Sequence, residues 1–127
     1  MKLRTVIADD NLAFLRQFAS LLQNEFDIVA ALPDGGLALE AIRSLRPDVA
    51  VLDLRMPVLD GIQLTKILQN ESHSPAVVIC SVEEDQEFVE AAQHAGALGY
   101  VFKSRIARDL LDAVRSATQG RSFASVR

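Results

Sequence analysis

Apolar and polar positions along the chain follow two kinds of spacing in alternation. Short runs dominated by apolar residues are typical of strands, and they occupy 5–8, 27–32, 48–54, 76–81 and 98–103. Between the runs, apolar residues recur at i, i+3 and i+7, which is typical of helices that bury one face. The pattern therefore predicts five strand-helix units in succession.

The predicted helices can be recognised by their apolar positions and by the residues at their ends. These positions are Leu12, Leu15, Ala19 and Leu22; Ala38, Ala41, Ile42 and Leu45; Leu64, Ile67 and Leu68; Phe88, Ala92 and Ala95; Ile106, Leu110, Ala113, Val114 and Ala117. Ser104 is a candidate cap for the fifth helix. The acidic run Glu83-Glu84-Asp85 fits the first turn of the fourth helix, where the helix dipole favours negative charge.

The strand composition predicts how these units pack. The first, third and fourth strands are almost continuously apolar, which is typical of strands covered on both faces. Alternating strands and helices with right-handed crossovers favour a doubly wound parallel sheet. We expect a single α/β domain with a five-stranded parallel sheet in the order 2-1-3-4-5 and five helices, as in flavodoxin-like folds.

Composition narrows the class of protein. The 127 residues are half hydrophobic, enough for one domain with a core, and the net charge of -4 disfavours direct binding to nucleic acid. The single cysteine, Cys80, lies in an apolar run and is expected to be buried, which fits a reducing cytoplasm. No stretch reads as a secretion signal or a membrane span, so we expect a soluble cytoplasmic protein.

Three acidic residues follow two of the predicted strands. Asp9 and Asp10 come directly after the first strand, and Asp53 ends the third. In the order 2-1-3-4-5 these strand ends lie at the topological switch point, where open α/β sheets bind ligands. Carboxylates that crowd together repel one another, and a divalent cation relieves that repulsion. The sequence therefore predicts a cation site beside a reactive carboxylate.

Four separated segments carry a resemblance to a known family. They are the Asp9-Asp10 pair, the run from Asp53 to Pro57 followed by Asp60-Gly61, Ser81 after the fourth strand, and Tyr100-Val101-Phe102-Lys103 in the fifth. In this order and on these elements, they resemble the CheY-like receiver domain of bacterial two-component response regulators. The resemblance spans residues 3 to about 119. It implies a receiver domain over 1–119, followed by the start of a linker or tail over 120–127.

The resemblance also implies a role for each residue of the site. Asp53 would be the phosphoacceptor, with Lys103 and Ser81 acting on the phosphoryl group and Ser81 and Tyr100 forming a switch. Mg²⁺ or Mn²⁺ would be held by Asp9, Asp10, Asp53 and the backbone carbonyl of Arg55, with Asp9 acting through water. Magnesium prefers such oxygen ligands and usually keeps several waters. The domain would catalyse only its own phosphorylation and dephosphorylation, and so would not be an enzyme in the metabolic sense.

The family resemblance implies partners as well. A sensor histidine kinase would donate the phosphoryl group, and the surface of helix 4, strand 5 and helix 5 would relay the change. A homodimer could form through that surface or through helix 1 and helix 5, with Leu111 as a candidate contact. Ser104 stands where the family commonly has a cis-proline, so we expect a trans peptide after Lys103. Lack of this proline, with a Gly and aromatic linker at Gly120 to Phe123, is typical of regulators with helix-turn-helix output domains.

Three other functions fit the sequence less well. A phosphate-independent interaction module would have no physical need for mutually repelling acids. An aspartyl phosphatase would need a second acid two residues after Asp53, where Arg55 stands. FMN binding would need a loop of Ser, Thr or Gly after the first strand, and Asp9 and Asp10 would repel the FMN phosphate.

Overall fold

All strands of the protein pair in parallel and form one sheet. The structure is a computed structural model, and it describes residues 1–127. The strand order is β2-β1-β3-β4-β5-β6. The strands are β1 (Arg4–Ala8), β2 (Asp27–Leu32), β3 (Val49–Asp53), β4 (Ala76–Ser81), β5 (Gly99–Phe102) and β6 (Phe123–Ala124). The doubly wound architecture and the order 2-1-3-4-5 are confirmed, but the expected count of five strands is wrong because a sixth pairs with β5.

Five helices connect the strands, as the periodicity predicts. They are α1 (Leu12–Leu22), α2 (Gly35–Leu45), α3 (Gly61–Gln69), α4 (Gln86–Ala95) and α5 (Ile106–Thr118). The side chains of Asn11, Asp34 and Asp60 cap the first three by accepting hydrogen bonds from backbone N–H groups of the first turn. Gly96 ends α4 with a φ of 113°, a conformation that favours glycine. None of the helices has the length and apolar character needed to cross a membrane.

The core consists of two layers, one on each face of the sheet. Neighbouring strand residues alternate between the layers, as Val6 and Ile7 do. One layer packs against α2, α3 and α4, and the other against α1 and α5. This double coverage explains why the central strands are almost continuously apolar. Cys80 is fully buried in the second layer, where it acts as a small apolar residue.

The sixth strand comes from the segment expected to begin a linker. Phe123 and Ala124 pair with Gly99 and Tyr100 of β5. The hydroxyl of Ser125 donates to Asp109 Oδ2 at 2.7 Å and accepts the Phe102 N–H at 3.1 Å. A strand of two residues is too short to produce an alternating pattern, so only the tertiary contacts reveal it.

The start of α5 differs from the expectation. Ser104 does not cap the helix, because its hydroxyl donates to Glu84 Oε2 at 2.8 Å. A 3₁₀ turn over Lys103–Arg105 leads into α5, and no peptide bond in the chain is cis. Leu111 is partly buried against the second core layer, and its role as a dimer contact stays a prediction.

The acidic run before α4 also differs from the expectation. The helix begins at Gln86, so Glu83 and Glu84 lie in the loop between β4 and α4. Glu84 lies 3.7 Å from Arg127, and Asp85 accepts a hydrogen bond from the same guanidinium at 3.1 Å. Arg127 of the C-terminal segment therefore pairs with Glu84 and Asp85, while Glu83 pairs with Arg55.

Candidate functional site

Sheet register brings the predicted acids together. Ala8 of β1 lies beside Leu52 of β3, so Asp9, which follows β1, and Asp53, the last residue of β3, lie side by side. With Asp10, they place three carboxylate oxygens within 4.8 Å of one another. Asp9 and Asp53 are buried and Asp10 is exposed, so the cluster opens to solvent on one side. The convergence predicted from the strand ends is confirmed.

Asp9 is the most enclosed of the three acids. Its Oδ1 accepts the backbone N–H of Asn11 at 2.8 Å, which fixes the carboxylate at the end of β1. Its Oδ2 is buried, lies 2.8 Å from Lys103 Nζ and accepts no well-directed hydrogen bond. A buried carboxylate oxygen with unused acceptor capacity is costly, and a cation would use that capacity.

Lys103 projects into the acid cluster from the 3₁₀ turn after β5. Its ammonium lies 2.9 Å from Asp53 Oδ1 as well as 2.8 Å from Asp9 Oδ2, and its side chain is only 7% exposed. The family resemblance implied only that Lys103 acts on the phosphoryl group, and its contact with Asp9 was not predicted. The ring of Phe14, which sequence reasoning also missed, lies 4.1 Å from the same ammonium. The one feature of the sequence that could have pointed to Phe14 is its position, four residues after Asp10 at the start of the first helix.

The electrostatics of the pocket follow from burial and from these contacts. Burial raises the pKa of Asp53 from 3.8 to about 6; the Lys103 hydrogen bond opposes the rise and the charge of Asp9 adds to it. Burial alone would lower the pKa of Lys103, but its close contacts with the carboxylates of Asp9 and Asp53 outweigh burial, so this pKa is raised. Lys103 is therefore protonated at neutral pH. Asp53 is ionised at that pH, but its ionisation lowers the stability of the folded protein.

This cost predicts a pH dependence of stability. The pKa of Asp53 is about 6 in the folded protein and 3.8 in an unfolded chain, so the folded protein binds this proton more tightly. The protonated Asp53 therefore adds to the free energy of unfolding at low pH, and this contribution should be lost as pH rises from about 4 to about 7. Over that range we expect Asp53→Asn to gain about 2 kcal/mol relative to the parent, at roughly 1.4 kcal/mol per pKa unit. Urea unfolding without metal at several pH values measures this difference; a constant difference contradicts the prediction.

Ser81 and Tyr100 are linked through the loop that follows β4. Both are almost fully buried, at 1% exposure. The hydroxyl of Tyr100 donates to the Glu83 carbonyl at 2.8 Å, and the Ser81 hydroxyl accepts the Glu83 N–H at 2.9 Å. Burial raises the pKa of Tyr100. The aromatic ring of the proposed switch thus already lies inside the protein.

Arg55 follows the phosphoacceptor candidate by two residues and points its side chain outward. Its guanidinium lies 3.3 Å from Glu83 Oε1 and 5.6 Å from the centre of the Phe88 ring. This contact joins the loop after β3 to the loop after β4. The side chain plays no part in the acid cluster, and the proposed role of its backbone carbonyl stays a prediction.

The sequence matches a described family over most of its length. Residues 5–115 match the model of the response regulator receiver domain. The chain is 32% identical over 124 residues to the transcriptional regulatory protein DegU of Brevibacillus brevis, covering 96% of this chain and 52% of DegU. It is 29% identical over 119 residues to the DNA-binding transcriptional activator EvgA of Escherichia coli K12, covering 93% and 58%. The chain spans about half the length of these curated relatives.

Solved structures show the same fold. The signal receiver domain of the putative response regulator NarL from Mycobacterium tuberculosis superimposes with a TM-score of 0.89 at 31% identity, covering 94% of this chain and 98% of that one. A LuxR-family two-component response regulator from Aurantimonas superimposes with a TM-score of 0.90 at 27% identity, covering 97% and 89%.

Proposed function

This chain belongs to the response regulator receiver domain family, and we propose that it is a switch activated by transfer of a phosphoryl group to Asp53. The observation that carries the proposal is the pocket in which Asp9, Asp10 and Asp53 converge and Lys103 pairs with Asp9 and Asp53. Such a set of acids around one cation costs folding energy. A structural role alone does not explain that cost, whereas phosphoryl transfer does.

The proposed reaction is an in-line displacement at phosphorus. A carboxylate oxygen of Asp53 forms the new bond to phosphorus, and the bond to the donor breaks, so the donor atom keeps the electron pair. A histidine nitrogen of a sensor kinase is the proposed donor, and water later reverses the modification. Lys103 lies 2.9 Å from the attacking carboxylate, within reach of the charge that collects on the phosphoryl oxygens.

A divalent cation fits the acids of this pocket. We propose Mg²⁺, or Mn²⁺, held by Asp9, Asp10, Asp53 and the backbone carbonyl of Arg55. The all-oxygen donor set and the buried, under-used Oδ2 of Asp9 support this assignment. When bound, the ion would neutralise charge on the acids and on the transferred group.

The proposed relay begins at Ser81. Its oxygen accepts the Glu83 N–H, so its own O–H is free to donate to the phosphoryl group. A shift of Ser81 toward that group would pull the loop containing Glu83, and with it the hydroxyl of Tyr100, which is bonded to the Glu83 carbonyl. The surface of α4, β5 and α5 would change as a result. We propose that the domain forms a homodimer, either through this surface or through α1 and α5.

The relatives suggest what the switch controls. DegU and EvgA are described as transcriptional regulators, and the chain spans about half of each. We propose that this domain regulates transcription in the cytoplasm through a DNA-binding output domain, and that it does not itself contact nucleic acid. Its net charge of -4 disfavours contact with the phosphates of DNA, and so supports DNA binding by the output domain alone.

Intact mass after incubation with acetyl phosphate and magnesium tests the central step. The parent is expected to gain one phosphoryl group, while Asp53→Asn gains none because its amide is not nucleophilic. Asp60→Asn serves as a matched control, since Asp60 only caps α3. Labelling of the Asp53→Asn variant, or an unlabelled parent that also fails to bind beryllofluoride, would contradict the proposal. The second result would favour a phosphate-independent interaction module.

A further inference from the structure

Phe14 is fixed in place by contacts within the first helix. The residue lies in the first turn of α1, where its N–H donates to the capping side chain of Asn11 at 3.2 Å. Its ring packs against Phe18 with 6.5 Å between the ring centres, and Phe18 is fully buried. The ring direction is therefore set by the helix rather than by the acid pocket.

From this fixed position the ring faces the ammonium of Lys103. The distance from Nζ to the ring centre is 4.1 Å, well within the roughly 6 Å over which a ring face attracts a cation. The ion-pair partners of the same ammonium are Asp9 and Asp53, at 2.8 and 2.9 Å. The ammonium thus has two charged partners and one neutral partner.

The two charged partners change during the proposed reaction, but the ring does not. Once Asp53 carries a phosphoryl group, its carboxylate no longer offers Lys103 the same negative oxygen. A cation shared by the acids would weaken the attraction of Asp9 for Lys103 in the same way. Lys103 also lies in a short 3₁₀ turn, not inside a strand, so its backbone restrains it less than a sheet would.

We propose that Phe14 is a positioning residue, whose ring keeps the Lys103 ammonium beside the phosphoacceptor while the charges of Asp9 and Asp53 are redistributed. This inference rests on the proposed function. The simpler interpretation is that Phe14 only covers part of the core, since it is partly buried against the layer under α1. The two interpretations differ in whether an aromatic face, as opposed to any apolar side chain, is required.

Substitutions at Phe14 separate the two interpretations. Phe14→Leu keeps apolar cover but removes the ring, and we expect the acetyl phosphate labelling rate to fall on the order of three- to tenfold. Phe14→Tyr keeps the ring and should retain the parent rate. Leu22→Ala, a control at a fully buried position two turns further along the same helix, should lower the melting temperature yet leave the rate unchanged. Equal rates for Phe14→Leu and Phe14→Tyr would overturn the proposal.

A double-mutant cycle on the metal-free protein provides a test that needs no phosphorylation. Phe14→Leu and Lys103→Met are combined, and unfolding constants are measured in urea. If the ring and the ammonium interact, the double variant should unfold with a constant three- to tenfold smaller than the single changes predict together. Additive effects would overturn the proposal. If the parent takes up no phosphate, the proposed function fails, and the cycle alone still decides whether Phe14 restrains Lys103.

Discussion

Replacing Lys103 by methionine is expected to lower the free energy of unfolding of the metal-free protein by about 3 kcal/mol at pH 7.5. The reason is that methionine keeps the length of the side chain but removes the charge between Asp9 and Asp53, both buried. Two buried carboxylates would then face each other without a cation. Equilibrium unfolding in urea measures the loss.

Acid and magnesium should each relieve this defect. At pH 5, protonation of Asp53, whose pKa is already raised by burial, removes one of the two charges, so the loss should be smaller than at pH 7.5. Magnesium should stabilise the variant more than the parent, because it meets no competing ammonium. Lys66→Met, at an exposed position on α3, is the control and should change stability by less than about 0.5 kcal/mol. A loss at Lys103 that is the same at both pH values would contradict the explanation.

The sixth strand provides the second large effect. Replacing Ser125 by alanine removes the donor to Asp109 Oδ2 and the acceptor of the Phe102 N–H, and both of those groups are buried. Leaving a buried N–H and a buried carboxylate without their partner costs on the order of 2 to 4 kcal/mol. The strand can avoid this cost by detaching so that water reaches both groups. We therefore expect local opening of residues 121–127 in preference to global unfolding.

Amide hydrogen exchange measures that opening. The N–H groups of Phe123 and Ser125 donate to the carbonyls of Leu98 and Tyr100, and they should exchange ten- to a hundredfold faster in the variant. Ser122→Ala is the matched control, because Ser122 is exposed and should leave both amides protected. Unchanged exchange in Ser125→Ala would mean that the backbone pairing with β5 holds the strand without the buried serine.

The architecture and the acid pocket could be predicted from the sequence because both depend on local patterns with long-range consequences. Near-continuous apolar strands separated by amphipathic helices permit few topologies, and the order 2-1-3-4-5 is among them. Once β1 and β3 are neighbours, parallel register forces Asp9 and Asp53 to the same edge. Lys103 and Ser81 were identified through the family resemblance, since a single lysine or serine at a strand end has no distinctive pattern.

The sequence by itself therefore determined the fold and the place where the charges meet, because hydrophobic period and strand order act on every residue of an element. Only the tertiary structure decided which partners individual side chains take. Ser104 bonds Glu84 instead of capping α5, and Phe14 faces Lys103 from another element. Ser125 attaches a two-residue strand to β5. Such contacts join residues far apart in the chain through one or two atoms, and no periodicity in the sequence records them.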